Sequence, residues 1–81
     1  MNKNEFFEAI ASALEVDSEL INMDLEIEGI PEWDSLGQLT ILSQLDDMTS
    51  GQAAEISNIG TMESLADIWD ALVEAGLASN E

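Results

Sequence analysis

Along residues 4–15 the apolar positions recur at helical spacing. Phe6, Ile10, Ala13 and Leu14 form a stripe that Phe7 and Ala11 widen. Asn4 can cap such a helix, with Glu5 in its opening turn, so the pattern predicts a helix over 4–15. The period then breaks. From 16 to 34, Val16, Leu20, Ile21, Met23, Leu25, Ile27 and Ile30 are interspersed with acids. This predicts a long loop packed over the core, with a helical turn after Asp17 or Ser18. A connection of this length inside a compact domain usually serves a function. Pro31 disfavours helix at Ile30 and helps close the segment.

A second helix is predicted over 35–48. With Leu36 set at 0° and about 100° of turn per residue, Met48, Ile41, Leu45 and Leu42 fall between about 120° and 240° and define a buried face. Leu36 lies opposite that face, Leu39 on its boundary, and Thr40, Ser43, Asp46 and Asp47 on the outer side. The stretch TSGQAAEISNIG (49–60) holds two glycines and small residues, with a short helix expected at about 52–56. Thr61 is then expected to cap a last helix over 62–75, in which Met62, Leu65, Ile68, Trp69 and Leu72 keep a 3.6 period. Gly76 suits the position after its end, and Ser79–Glu81 should fray. There is no internal repeat and no strand-like alternation. The expected fold is all-α: a single domain over 1–81, a small four-helix bundle of three longer helices and one short helix, with a long first loop.

Composition narrows what such a fold can do. The chain has 81 residues, 18 of them acidic against the single Lys3, for a net charge of −17. Hydrophobic content of 46% supports a folded core, so disorder does not explain the acidity. The charge repels nucleic acid and anionic membranes, and attracts basic protein patches and, diffusely, divalent cations. Cysteine and histidine are both absent. There is therefore no thiolate chemistry, no disulfide framework, and neither the usual general base nor the commonest metal ligand. Glu5, Glu8 and Glu15 interrupt any signal-like apolar run near the N-terminus, and no segment reads as a membrane span. The expectation is a soluble cytoplasmic monomer that inserts in no membrane and binds no nucleic acid.

The chemistry on offer centres on PEWDSLGQL (31–39). Asp34 and Ser35 before an apolar helix fit an N-cap. The same geometry exposes the Ser35 hydroxyl, and a helix N-terminus would favour a phosphodiester placed there. With no His or well-placed Lys to activate it, Ser35 is not a nucleophile of its own catalytic site; it could only be an acceptor worked on by a partner. Exposed Leu36, beside Leu39 and rimmed by acids, makes a small docking face for a basic partner. DLEIEG (24–29) imitates half of an EF-hand loop, but Ser35 stands where the bidentate glutamate belongs, so no metal site is assigned. Asp46 and Asp47 read as solvated surface without a cleft for acid–base work. Trp69 belongs to the core; Trp33 packs under the loop or shields the start of the second helix.

Taken together, the small size, acidity, long first loop and DSL at the start of the second helix resemble the acyl carrier protein family. The likeness runs through ALEVDSELI, EWDSLGQL (a variant with Trp before DSL) and Thr61-Met62 with Leu65 and Ile68. It implies that Ser35 receives 4′-phosphopantetheine from coenzyme A, through a phosphopantetheinyl transferase using Mg²⁺, with Asp34 at the transferase contact. The arm's thiol would then carry acyl groups as thioesters. Leu36, Leu39, Asp46 and Asp47 would meet basic patches on the transferase and on the ligases, synthases or transferases that load and use acyl or aminoacyl groups. The domain itself would not be an enzyme. Thr40 stands where many relatives have glutamate, and MTSGQAAEI lacks the Phe-Gly-Ile turn common in fatty-acid carriers, which points to a specialised biosynthetic pathway. The alternative is an acidic interaction protein without a prosthetic group, a nucleic-acid mimic or a regulator of a basic partner.

Overall fold

The protein is described by a computed structural model over residues 1–56 and 58–79. Its order is α1 (Lys3–Leu14), a 3₁₀ turn (Ser18–Leu20), α2 (Ser35–Met48), two 3₁₀ turns (Ala53–Glu55 and Ile59–Thr61) and α3 (Leu65–Glu74). The architecture is thus all-helical, with three α-helices and, among the described residues, no strand. The expected fourth, short helix at 52–56 is a single 3₁₀ turn, Ala53–Glu55.

Helix α1 starts earlier than the apolar stripe suggests. Asn2, not Asn4, is the cap: its side chain accepts from the Glu5 N–H at 2.8 Å, and Glu5 Oε1 accepts from the Asn2 N–H at 3.1 Å. This reciprocal box satisfies two of the N–H groups that a helix start leaves open. At the other end Glu15 takes the left-handed conformation (φ 57°). The Val16 N–H then reaches back to the Ala11 carbonyl and the Glu15 N–H to that of Ser12, the bond pair of a Schellman cap. Phe6, Ala9, Ile10, Ala11 and Leu14 face inward.

Helix α3 starts later than expected. Ser64, not Thr61, caps it, accepting from the Asp67 N–H at 3.2 Å. The reason is tertiary. Ser64 is extended and bridged to Glu26 of the first loop, where the Ile27 N–H donates to the Glu63 carbonyl (2.7 Å) and the Leu65 N–H to the Leu25 carbonyl (3.1 Å). Met62 and Glu63 are therefore held out of the helix. Gly76 (φ 77°) ends α3 as expected, with the Leu77 N–H bonded to the Leu72 carbonyl and the Gly76 N–H to that of Val73. Ser79 is tied down rather than frayed: its N–H donates to the Met1 carbonyl at 2.8 Å. The expected fraying of Asn80 and Glu81 lies outside the described residues.

The core is one cluster formed by Phe6, Ile10 and Leu14 of α1, Ile41 and Leu45 of α2, Leu65, Ile68, Trp69 and Leu72 of α3, and Ile21, Trp33, Ala53 and Ile59 from the connections. Trp69 stacks obliquely on Phe6, centroids 5.1 Å apart, a favourable aromatic geometry. The long loop is indeed laid over this cluster: Val16, Met23, Leu25, Ile27 and Ile30 are half-buried against it. Met48, expected on the buried face of α2, is 40% exposed. It is the last residue of the helix and lines an open surface hollow between α2 and α1 with Glu5, Glu8 and Gln44.

Candidate functional site

Ser35 is the first residue of α2. Asp34 before it has extended backbone (φ −109°, ψ −164°), and its Oδ1 accepts from the Gly37 N–H at 2.9 Å. Asp34 is therefore the cap, and the Ser35 hydroxyl is spared that role. Among the described residues, Ser35 Oγ has no hydrogen-bond partner, and the residue is exposed. The Gln38 N–H bonds to the Asp34 carbonyl and the Gly37 N–H to the Asp34 side chain. Those of Ser35 and Leu36 belong to the helix start and have no intrahelical acceptor. An oxyanion on Ser35 would meet the positive end of the helix dipole.

A continuous exposed stripe runs down α2 from this point. Leu36 is 72% exposed and Leu39 63% exposed. Thr40, Ser43 and Asp47 continue it, all exposed. The rise from Ser35 to Asp47 is about 18 Å at helical geometry. Asp46 departs from the expected outer position: it is half-buried, and its Oδ1 accepts from the Ala54 N–H at 3.3 Å. It thus ties the 3₁₀ turn to the end of α2. Asp47 is the exposed member of the pair. Both acids stand at the negative end of the α2 dipole, with no basic residue in the last turn to offset them.

Beside Ser35 lies an open groove of about 420 Å³, lined by Ile27, Gln38, Leu39, Gly60, Thr61, Met62 and Glu63. A smaller hollow of about 290 Å³ is lined by Leu42, Ala53, Ala54, Ile56, Ile59 and Gly60. No group of three or more acidic side chains able to hold a metal ion occurs among the described residues, and no helix there is long and apolar enough to cross a membrane.

Two site-forming residues escape a reading of the motif alone. Gln38 is 7% exposed, a polar side chain in the core. Its Oε1 accepts from the Trp33 indole N–H at 2.7 Å, and its Nε2 donates to the Met62 carbonyl at 2.9 Å. The signal was its place on the wheel, at about 200°, in the middle of the apolar face. Gly37 is the other. A Cβ on it would strike the Glu32 carbonyl and lie 2.9 Å from Leu14 Cδ2, so only glycine lets the end of the loop rest on the first turn of α2.

No family model, no curated protein and no solved structure matches the chain.

Proposed function

We propose that this protein is a carrier of the acyl carrier type, in which Ser35 accepts 4′-phosphopantetheine as a phosphodiester and the chain presents the loaded arm to partner enzymes. The observation that carries this reading is the division of labour at the start of α2. Asp34 caps the helix through its own side chain, leaving the Ser35 hydroxyl unbonded among the described residues and exposed at the positive helix end. A serine needed only for capping would spend its oxygen on the backbone.

The surroundings fit the group. A mostly apolar groove opens beside the hydroxyl, and its one acidic side chain, Glu63, lies across from α2. When bound, the arm supplies a thiol for thioester chemistry that this cysteine-free chain lacks. The chain's own residues position and present. Asp34 holds the helix start, the acidic surface brings in basic partners and speeds their encounter, and Leu36 and Leu39 supply apolar contact. The three helices, the 53–55 turn and the long loop then correspond to a carrier-like bundle. The absence of His and Cys supports a carrier rather than a catalyst.

The test is an intact mass after incubation of the purified chain with coenzyme A, Mg²⁺ and a promiscuous phosphopantetheinyl transferase, with Ser35→Ala in parallel. Gain of one phosphopantetheine by the wild type alone is expected. A folded, initially unmodified wild type that gains nothing would turn attention to the second reading, an acidic interaction protein. That reading draws on the net charge of −17, and it requires Ser35→Ala to leave partner binding intact.

A further inference from the structure

The connection that delivers the chain to Ser35 is long and irregular, and fixing irregular backbone costs conformational entropy at every residue. Hydrogen bonds hold it at a few points. The Glu28 N–H donates to the Trp33 carbonyl (2.8 Å), and Ile27 and Leu25 bond to Glu63 and Leu65. One side chain joins all three segments that meet around the serine. Gln38, one turn into α2, accepts from the indole of Trp33 at the end of the loop and donates to the carbonyl of Met62, just before the extended run into α3. Both Gln38 and Met62 line the groove beside Ser35. A buried amide with both ends satisfied rigidifies its surroundings, and a half-satisfied one is costly.

We infer that Gln38 is a positioning residue for the reaction at Ser35. The Trp33–Gln38–Met62 relay holds the loop end, the helix start and the 60–63 wall in the one arrangement that a modifying enzyme binds. Gln38 touches neither reactant; it acts through the two segments it joins. This rests on the carrier reading above. Where the relay is broken, the loop and wall still belong to a folded protein, but the binding-competent arrangement is only partly populated. Apparent affinity for the modifying enzyme falls by that fraction while the chemical step is unchanged.

The experiment uses the unmodified full chain with coenzyme A, Mg²⁺ and the same promiscuous transferase. KM for the chain and kcat are measured for wild type, Gln38→Leu, Trp33→Phe and, as an exposed control on α1 outside the groove, Ser12→Ala. Backbone amide exchange at Ile27 and Leu65 is followed in parallel. Gln38→Leu is expected to raise KM about three- to tenfold with kcat unchanged, and to speed exchange at both amides. Trp33→Phe, which leaves the bond to Met62, should do the same to a smaller extent, and Ser12→Ala should do neither. Should Gln38→Leu not fold, Trp33→Phe alone carries the test. Faster exchange with an unchanged KM, or a loss confined to kcat, would overturn the inference while the carrier reading stands. A folded, initially unmodified wild type that gains nothing would overturn both.

Discussion

Gly37 has no room for a side chain between itself and Glu32: a Cβ would strike the Glu32 carbonyl oxygen and lie 2.9 Å from Leu14 Cδ2. The close approach seats the end of the long loop on the first turn of α2, one helical step from Ser35. Gly37→Ala gains about 1 kcal/mol of intrinsic helix propensity but forces backbone apart at a cost of about 1–3 kcal/mol. Urea unfolding should therefore show net destabilisation of up to about 2 kcal/mol. An Ala variant more stable than wild type by the full propensity gain of about 1 kcal/mol would mean that the loop end does not rest on α2.

The cap and the neighbouring hydroxyl should separate cleanly. Asp34→Ala removes the bond to the Gly37 N–H and is expected to cost about 1 kcal/mol. Ser35→Ala, with no such bond to lose among the described residues, should stay within about 0.5 kcal/mol of wild type. Equal losses in chemical denaturation would return Ser35 to a capping role.

The two tryptophans make a matched pair. Trp33 donates its indole N–H to Gln38; the Nε1 of Trp69 is buried and, among the described residues, has no hydrogen-bond partner. Replacement by Phe removes similar volume at both, but at Trp33 it also strands the Gln38 carbonyl, a penalty of about 1–3 kcal/mol. Trp33→Phe is thus expected to be the more destabilising, by about 1–2 kcal/mol. The reverse order in equilibrium unfolding would contradict the relay.

Glu15 occupies a left-handed position, φ 57°, that closes α1, where glycine carries no steric penalty. Glu15→Gly should stabilise the protein by about 1 kcal/mol and relieve one of many like charges. A lower melting temperature would show that the Glu15 side chain holds more than the cap geometry reveals.

A net charge of −17 with one lysine means that the folded chain repels itself, and salt screens that repulsion over about 8–10 Å near physiological ionic strength. The melting temperature should rise with NaCl, and more with MgCl₂ at equal ionic strength, because divalent cations gather more strongly at an acidic surface. Identical curves in the two salts would reduce the effect to screening alone.

The sequence by itself determined the helical class, the span of α2, the buried face of each helix apart from Met48 and Met62, and the stop at Gly76, because these follow from apolar spacing and from conformations that few residue types accept. It also marked Ser35 and the exposed Leu36 and Leu39, since a helix wheel separates faces without knowing what packs on them. The extra helical turn within the long loop at Ser18–Leu20 was legible for the same local reason. What only the tertiary structure decided are the points where distant segments compete for one backbone group. Glu63 and Leu65 pair with the first loop, so α3 begins at Leu65 and not at Met62. Asp46 is drawn to the Ala54 N–H and is half-buried, so Asp47 is the fully exposed member of the pair. Gln38 is a polar residue on an apolar face until Trp33 and Met62 arrive to satisfy it. Periodicity reports which side of a helix is inside; which donor meets which acceptor there depends on the closure of the whole chain, which no local pattern encodes.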